Sequence, residues 1–450
     1  MRPRIGTIRP MAAAHPASTK SDNPSAPLEG EILVEAAQLR PGVHVRLPVG
    51  WMEHPFMFNS FVITDMAQVR QIAALQLPQM FCDLRRCTAP PLRKPEVPRE
   101  PTADELRERR ESAELLARQM QDKQARANAV KALRARLDVA QTHYLGAAKA
   151  VGSALKRFDI DPQESARQVM LVSSESTAVL MRDSDSAVAL IAEKGHSDML
   201  YAHALSVMTL ALLLGKHAGL PEAALKEVGI GALLHDVGKL GLNASVMRKA
   251  ERSRHEEVIY QAHCRHGLDE AQRAGCLSRA VLDTIAHHHE RADGSGFPAG
   301  LGAQRIPLAA RIVAIANRFD NLTNPLDPRR ALTPSEALAT MWVKEQSAFD
   351  PMLLQLFVRA MGVYPPGSLV QLSDGRDGVV VASAAGNAPL RPQVLVYEPR
   401  IPRRHAIIVD LTQDASLDVV RARPVQDLPA DELDYLLPRR KLSWFHMSNS

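Results

Sequence analysis

The chain has 450 residues, 46% of them hydrophobic and 4% aromatic, and a formal net charge of +5 at pH 7. That length allows two or three domains, and the shortage of aromatics leaves Leu, Val, Ala and Ile to fill the cores. The positive excess collects in short segments such as MRPRIGTIRP, LRERR and LPRRK, with no basic stripe interleaved with aromatics, which argues against a nucleic-acid duplex as partner. The longest apolar run, VMTLALLLG, is too short to span a bilayer and runs into Lys216 and His217. No N-terminal apolar stretch reads as a signal peptide. The four cysteines, Cys82, Cys87, Cys264 and Cys276, lack CxxC spacing and read as free thiols of a reducing compartment, so a cytoplasmic protein is expected.

In chain order, residues 1–28 are rich in Ala, Pro, Ser and charge and are expected to be a disordered tail. Residues 29–88 read as a small α/β module. ILVEAAQLRPGVHVRL places short apolar runs around a Pro-Gly turn, FVITDMAQVRQIAALQL reads as a strand, a helix cap at Asp65 and an amphipathic helix, and MFCDL closes with a strand. Residues 89–101, APPLRKPEVPREP, form a proline-spaced linker. A long helix is expected over 102–160, with Thr102 as cap and Glu105 in capping-box position. Its Leu and Ala recur at three- and four-residue spacings amid charges, which fits a solvated helix packing one stripe on its neighbours, or a coiled-coil arm that would make a homodimer. Residues 161–365 read as successive amphipathic helices, an all-α bundle. Residues 366–450 change texture: VQLSDGRDGVVVAS, PQVLVYEP and HAIIVDL are β-branched runs split by Gly, Asp and Pro, a small β-rich module. The fold class is therefore mainly α, a helical bundle flanked by two small modules.

The bundle carries the chemistry. In IAHHHERADGSGFPAG, residues 285–300, three histidines stand in a row. Neighbours on a helix point about 100° apart, so only two of them can reach one site, at a helix end. Asp293, Gly294 and Gly296 then build a tight loop that asks for positive φ. MLYAHALSVMTLAL puts His203 on an apolar helix, a placement that in isolation more often means a packed core residue. LLHDVGKLG sets His235 and Asp236 at the end of a Leu-rich helix terminated by Gly238 and Gly241. A buried His–Asp pair followed by Lys239 needs strong compensation, which two metal ions bridged by the Asp would supply. YQAHCRHGLDEA offers His263, with Gly267 one turn on to admit a second element, and His266, which reads as solvated. The set His203, His235, Asp236, His263, His288 and His289 is imidazole-dominated, and such sites suit Fe, Zn, Mn, Co or Ni rather than Ca or Mg. Two such ions about 3.5–4 Å apart support in-line phosphoryl displacement. Lys239 would steady the phosphate charge.

On these residues the segment resembles an HD-GYP domain, the subclass of HD metal-dependent phosphohydrolases that degrades cyclic di-GMP. HDVGK resembles the HD signature, and HHERADGSGFP resembles HHExxDGxGYP, with Phe297 where Tyr is usual; RIPLAARIVAIANRFDNL and TPSEAL continue the likeness. Residues 31–88 resemble an uncharacterised module often found before HD-GYP domains. The resemblance implies that His203, His235, Asp236, His263, His288 and His289 are ligands of two divalent ions, Fe or Mn, and that Asp236 and Lys239 are the catalytic residues. It implies substrate contacts at Lys239, Arg329, Gly296, Phe297 and Pro298, and a hydrogen bond from Glu290 to a ligand.

Three positions depart from the family pattern. Asn317 stands where a metal-ligating Asp is usual and is expected as a weaker metal ligand through its uncharged carbonyl oxygen, Met199 stands where three-metal members carry a Glu, and Leu326 replaces the first of two phosphate-gripping Arg, leaving Arg329 as the second. The function implied is a phosphodiesterase converting cyclic di-GMP to pGpG or GMP. The alternatives are a degenerate member that binds cyclic di-GMP or a signalling protein partner without turnover, and another nucleotide phosphohydrolase of the HD group.

Overall fold

The computed structural model describes residues 26–50, 53–56, 58–94, 102–185, 188, 199–247, 249, 251–383 and 390–437. Most of the expected tail (residues 1–25) and half of the linker (residues 95–101) lie outside that set. The chain divides into two compact units, Met1–Ala125 and Arg126–Ser450.

The first unit holds β1 (Glu31–Val34), β2 (His44–Arg46), β3 (Ser60–Val62), α1 (Met66–Ala74) and β4 (Met80–Asp83). The strands pair antiparallel in the order β1-β4-β2-β3. Asp65 caps α1 by accepting from the Gln68 amide at 2.9 Å, so the strand-to-helix switch falls at the residue whose carboxylate can satisfy an orphan N–H. Val34, Val43, Val45, Leu47, Ile63 and Ile72 fill the core. The long helix α2 (Ala103–Lys156) begins in this unit, where the ammonium of Lys123 donates to the carbonyls of His54 (2.8 Å) and Phe56 (3.0 Å).

In the second unit α2 continues. Its last turns, through Val151, Ala154 and Leu155, and Phe158 just beyond them, are buried with α3 (Pro162–Arg182), α4 (Met199–His217) and α5 (Glu222–Leu234). The bundle core thus begins inside the long helix. Residues 204–215 of α4 and 228–238 of and beyond α5 are buried without interruption. A helix that is apolar all round must sit at the centre of its bundle, and these two form the middle layer. Around them lie α6 (Arg254–Gln261), α7 (His263–Arg273), α8 (Arg279–His287), α9 (Leu308–Thr323), α10 (Pro334–Val343) and α11 (Pro351–Met361). Ser253 and Thr333 form capping boxes with Glu256 and Glu336.

The remaining residues build β5 (Leu369–Leu372), β6 (Asp377–Ala382), β7 (Gln393–Val396), β8 (Ile407–Asp410) and β9 (Val419–Ala422), antiparallel in the order β8-β7-β6-β5-β9, followed by α12 (Ala430–Leu436). Period-two alternation gives this sheet two apolar faces. Val370, Val380, Val394 and Val396 fill one; Leu369, Val379 and Leu395 pack on Leu133 of α2 and Leu436 of α12 at the other. Among the described residues no helix is long and apolar enough to cross a membrane.

The glycines after α5 serve a different purpose from helix termination by positive φ, since neither Gly238 nor Gly241 has one. They lie in a 3-10 turn, Val237–Gly241. A Cβ on Gly238 would overlap the His263 carbonyl and the backbone of Gly267 on α7, whereas one on Gly241 would meet nothing within 4 Å. Two glycines therefore let the turn and the helix touch backbone to backbone. Gly238→Ala should cost about 3 kcal/mol in urea unfolding, at the upper end for overpacking, while Gly241→Ala should stay within about 0.5 kcal/mol. Equal costs for both would show that the close approach is not what Gly238 is for.

Candidate metal centre

Three of the histidines reach the site by one local device. α5, α6 and α8 each end with carbonyls that the helix cannot satisfy. His235 Nδ1 donates to Ala232 O (2.7 Å), His263 Nδ1 to Tyr260 O (2.5 Å) and His288 Nδ1 to Ile285 O (2.9 Å), each to the carbonyl three residues back. A carbonyl can only accept, so the proton sits on Nδ1 and each Nε2 presents a lone pair to the interior. His203, on the otherwise buried α4, has its Nδ1 2.7 Å from Asp320 Oδ2 of α9, which leaves its Nε2 facing the same interior.

The lone pairs converge on Asp236. Its Oδ2 lies 3.3 Å from His235 Nε2 and 3.7 Å from His203 Nε2. Its Oδ1 lies 3.4 Å from His263 Nε2 and 3.5 Å from His288 Nε2. One carboxylate thus divides its oxygens between two groups, His203–His235–Asp236 and Asp236–His263–His288–His289, in each of which one ligand atom per residue lies within 4.8 Å of the others. His263 Nε2 and His288 Nε2 face each other at 3.3 Å, and the buried atoms His235 Nε2, His289 Nε2 and Asp236 Oδ1 have no hydrogen-bond donor. Acceptors pressed together around an anion repel unless a cation sits among them. The donor set fits a first-row divalent ion, and these residues could hold one.

The GSGFP loop backs His289. Phe297 stacks on the His289 ring, centroids 4.5 Å apart at 26°, and its amide donates to His289 O. Gly294 has φ +78°; Gly296 has ordinary φ, and there a Cβ would overlap the backbone at His289, Glu290 and Arg291. Pro298 follows in the same loop. Glu290 accepts from the amides of Ala299 (2.7 Å) and Leu301 (2.9 Å), so its carboxylate closes the loop instead of bonding to a ligand histidine. The imidazole beside it is that of His287, 3.8 Å away, and His266 is exposed.

Other expected residues are placed as follows. Lys239 Nζ donates to Asp236 Oδ2 at 2.6 Å and lies 5.2 Å from the centre of the Tyr260 ring, whose face also carries the Arg252 guanidinium at 3.9 Å. Asn317 is buried on α9, where its Oδ1 accepts from Asn321 Nδ2 at 2.7 Å. Arg329 is exposed and bonded to Asp327 within its own loop, at 2.9 Å through both Nε and Nη2; Leu326 is exposed. Met199 opens α4. Asp320 and Tyr260 were not among the residues singled out from the sequence. Asp320 carried a readable signal: in RIVAIANRFDNL it shares the buried face of Ile312, Ala316 and Phe319, and a carboxylate there needs a partner.

Residues 187–353 match the HD domain family, and residues 31–169 match the family described as a domain of unknown function, DUF3391. The first match lies within the bundle and takes in the His/Asp cluster. Curated relatives include the cyclic di-GMP phosphodiesterase PA4108 of Pseudomonas aeruginosa, 32% identical over 224 residues that cover 50% of this chain and 54% of that protein. The cyclic di-GMP phosphodiesterase response regulator RpfG of Xanthomonas campestris is 35% identical over 33% of this chain and 39% of that protein. The 3'3'-cGAMP-specific phosphodiesterase 2 of Vibrio cholerae is 30% identical over 31% of this chain and 27% of that protein. The chain thus spans about half the length, or less, of the curated relatives it matches.

Burial and charge set the protonation of the site. For Asp236, burial acts to raise the carboxyl, but His235 and Lys239 hold it well below the usual carboxylate range. For Lys239, burial acts to lower the ammonium, yet Asp236 raises it to about 12, so it stays charged. Burial pushes His288 down to about 3 and His289 well below its ordinary value. The unfolded chain takes a proton on His288 near pH 6.5, while the folded site takes it only near 3. Folding of the metal-free protein therefore loses about 1.4 kcal/mol from this group for each pH unit below 6.5, and the loss is absent above it. Denaturant unfolding of chelator-treated protein at pH 6.5, 5.5 and 4.5 should show a loss at least that steep, since His289 adds to it, and His288→Asn should reduce the slope by about 1.4 kcal/mol per pH unit. Parallel slopes for the two proteins would place His288 outside the buried cluster.

Proposed function

We propose that the HD domain is a metal-dependent phosphodiesterase that opens cyclic di-GMP to pGpG or GMP in second-messenger signalling, using two divalent ions, Fe or Mn. The observation that carries this reading is the single buried carboxylate, Asp236, with one oxygen turned to each of two histidine groups. The named activities of the PA4108 and RpfG relatives support the substrate. Two first-row ions in such a site supply a water-derived nucleophile at neutral pH and charge stabilisation for in-line displacement at phosphorus. The chain's own residues do the rest. The Nδ1–H bonds hold the imidazoles in one tautomer and one orientation. Lys239, charged and with its side chain 10% exposed, offers its ammonium to a phosphate oxygen. Phe297 and Tyr260 flank His289 and His263 and limit water at that side.

A second reading, binding without turnover, has its own observations. The Asn317 oxygen is occupied by Asn321, and Arg329 would have to leave Asp327 to grip a phosphate. Purified protein incubated with Mn(II) or Fe(II) and cyclic di-GMP, followed by chromatography, decides between them. The proposal expects pGpG or GMP; fully metal-loaded protein that retains the dinucleotide uncleaved supports the second reading.

Two substitutions probe the same site. His235→Ala combined with Asp236→Ala should lower metal content by at least one ion per chain at unchanged folding. Asn317→Asp keeps the acceptor that Asn321 uses and adds an ionised oxygen, a stronger ligand than an amide. It should raise both metal content and hydrolysis. A rise in neither, with the fold intact, would mean that Asn317 is not the weak point.

A further inference from the structure

Of the four histidines of the ligand set whose Nδ1 has a described bond, three use a backbone carbonyl and one does not. His203 alone uses a carboxylate, Asp320 Oδ2 at 2.7 Å, and that carboxylate is itself held, with Oδ1 accepting from Asn324 Nδ2 at 3.0 Å. Asp320 is 2% exposed. It lies on α9 one turn after Asn317, the neutral residue whose oxygen is taken by Asn321.

Charge explains why the exception falls at His203. Asp236 is the only carboxylate in either ligand group, it serves both, and its Oδ2 is already paired with Lys239 at 2.6 Å. The oxygen facing His203 and His235 is thus the one whose charge is most nearly cancelled. A divalent ion on that side would meet two neutral imidazoles and a carboxylate oxygen shared with an ammonium. A carboxylate on the far side of one imidazole adds negative charge without entering the coordination sphere, and it makes the ring a more basic ligand.

We infer that Asp320 is a positioning residue for the His203–His235–Asp236 side of the metal site: it fixes the tautomer and orientation of His203 and supplies the negative charge that Asn317 does not. The inference rests on the two-ion reading above, and its test separates the two.

Isothermal titration with Mn(II) and elemental analysis after desalting are compared for the full-length wild type, Asp320→Asn and Asn324→Ala. Asp320→Asn keeps the size and one acceptor but removes the charge. It should weaken one ion 10- to 100-fold and leave the other, held by Asp236, His263, His288 and His289, at wild-type affinity. The melting temperature of its metal-free form should match wild type. Asn324→Ala, which removes the bond at the other oxygen and one to Thr323 Oγ1 but leaves the Asp320 charge and its bond to His203, should keep both affinities. Unchanged affinities in Asp320→Asn overturn the inference. So does equal weakening of both ions together with a lower metal-free melting temperature, which marks a structural role. A wild type that binds one ion strikes the two-ion reading, and the inference then stands or falls on whether Asp320→Asn weakens that ion. One measurement needs no variant to fold. In metal-free wild type, long-range nitrogen–proton spectra should place the His203 proton on Nδ1, and a proton on Nε2 overturns the inference.

Discussion

An anion buried among lone pairs is the constraint around which the bundle is arranged. The Asp236 carboxylate is almost fully enclosed, and three imidazole nitrogens that can only accept lie within 3.5 Å of it. Among the described residues Lys239 is the one donor that hydrogen-bonds its side chain, and Lys239 reaches only Oδ2. The arrangement is poor for stability in the absence of cations and well suited to holding them, which is how a site built for metal differs from a satisfied core. The cost is carried by packing: α4 and α5, the helices that deliver His203, His235 and Asp236, are buried along most of their length.

The geometry of delivery is economical. Three helix ends each leave a carbonyl over, and a histidine just past each of those carbonyls uses it as a tautomer lock. The same local rule repeats on α5, α6 and α8, so the rings are oriented by backbone whose position the bundle fixes. The Gly238–Gly267 contact then brings the turn after Asp236 against α7 closely enough for His263 to share the carboxylate. His289 reaches the site differently, propped by Phe297 from a loop that Glu290 ties shut.

Much of this was legible in the sequence, because the informative signals were local. A Leu-rich helix running into His-Asp must carry both residues inward, and a Gly one turn after a His signals close approach, as Gly267 does. The α/β texture before residue 88, the helices of the bundle and the β-rich end follow from periodicity and caps such as Asp65. What escaped was decided by tertiary partners. The buried-face position of Asp320 announces that it needs a partner, but only the fold shows that the partner is His203. Glu290 invites a bond to a ligand, yet two loop amides reach it first. Arg329 has an Asp two residues before it and folds back on that neighbour. The last turns of α2 bury Val151, Ala154 and Leu155 in the bundle core, a stripe of the kind its three- and four-residue spacing suggested, but the sequence did not say which neighbours it would meet.

The central claim is that one carboxylate serves two ions. Anomalous diffraction from crystals of the protein grown with Mn(II) tests it most directly. The account predicts two peaks about 3.5–4 Å apart, one beside each oxygen of Asp236, with His203 and His235 toward one and His263, His288 and His289 toward the other. A single peak bound by residues of both groups, or two peaks of which one lies away from Asp236, would contradict it.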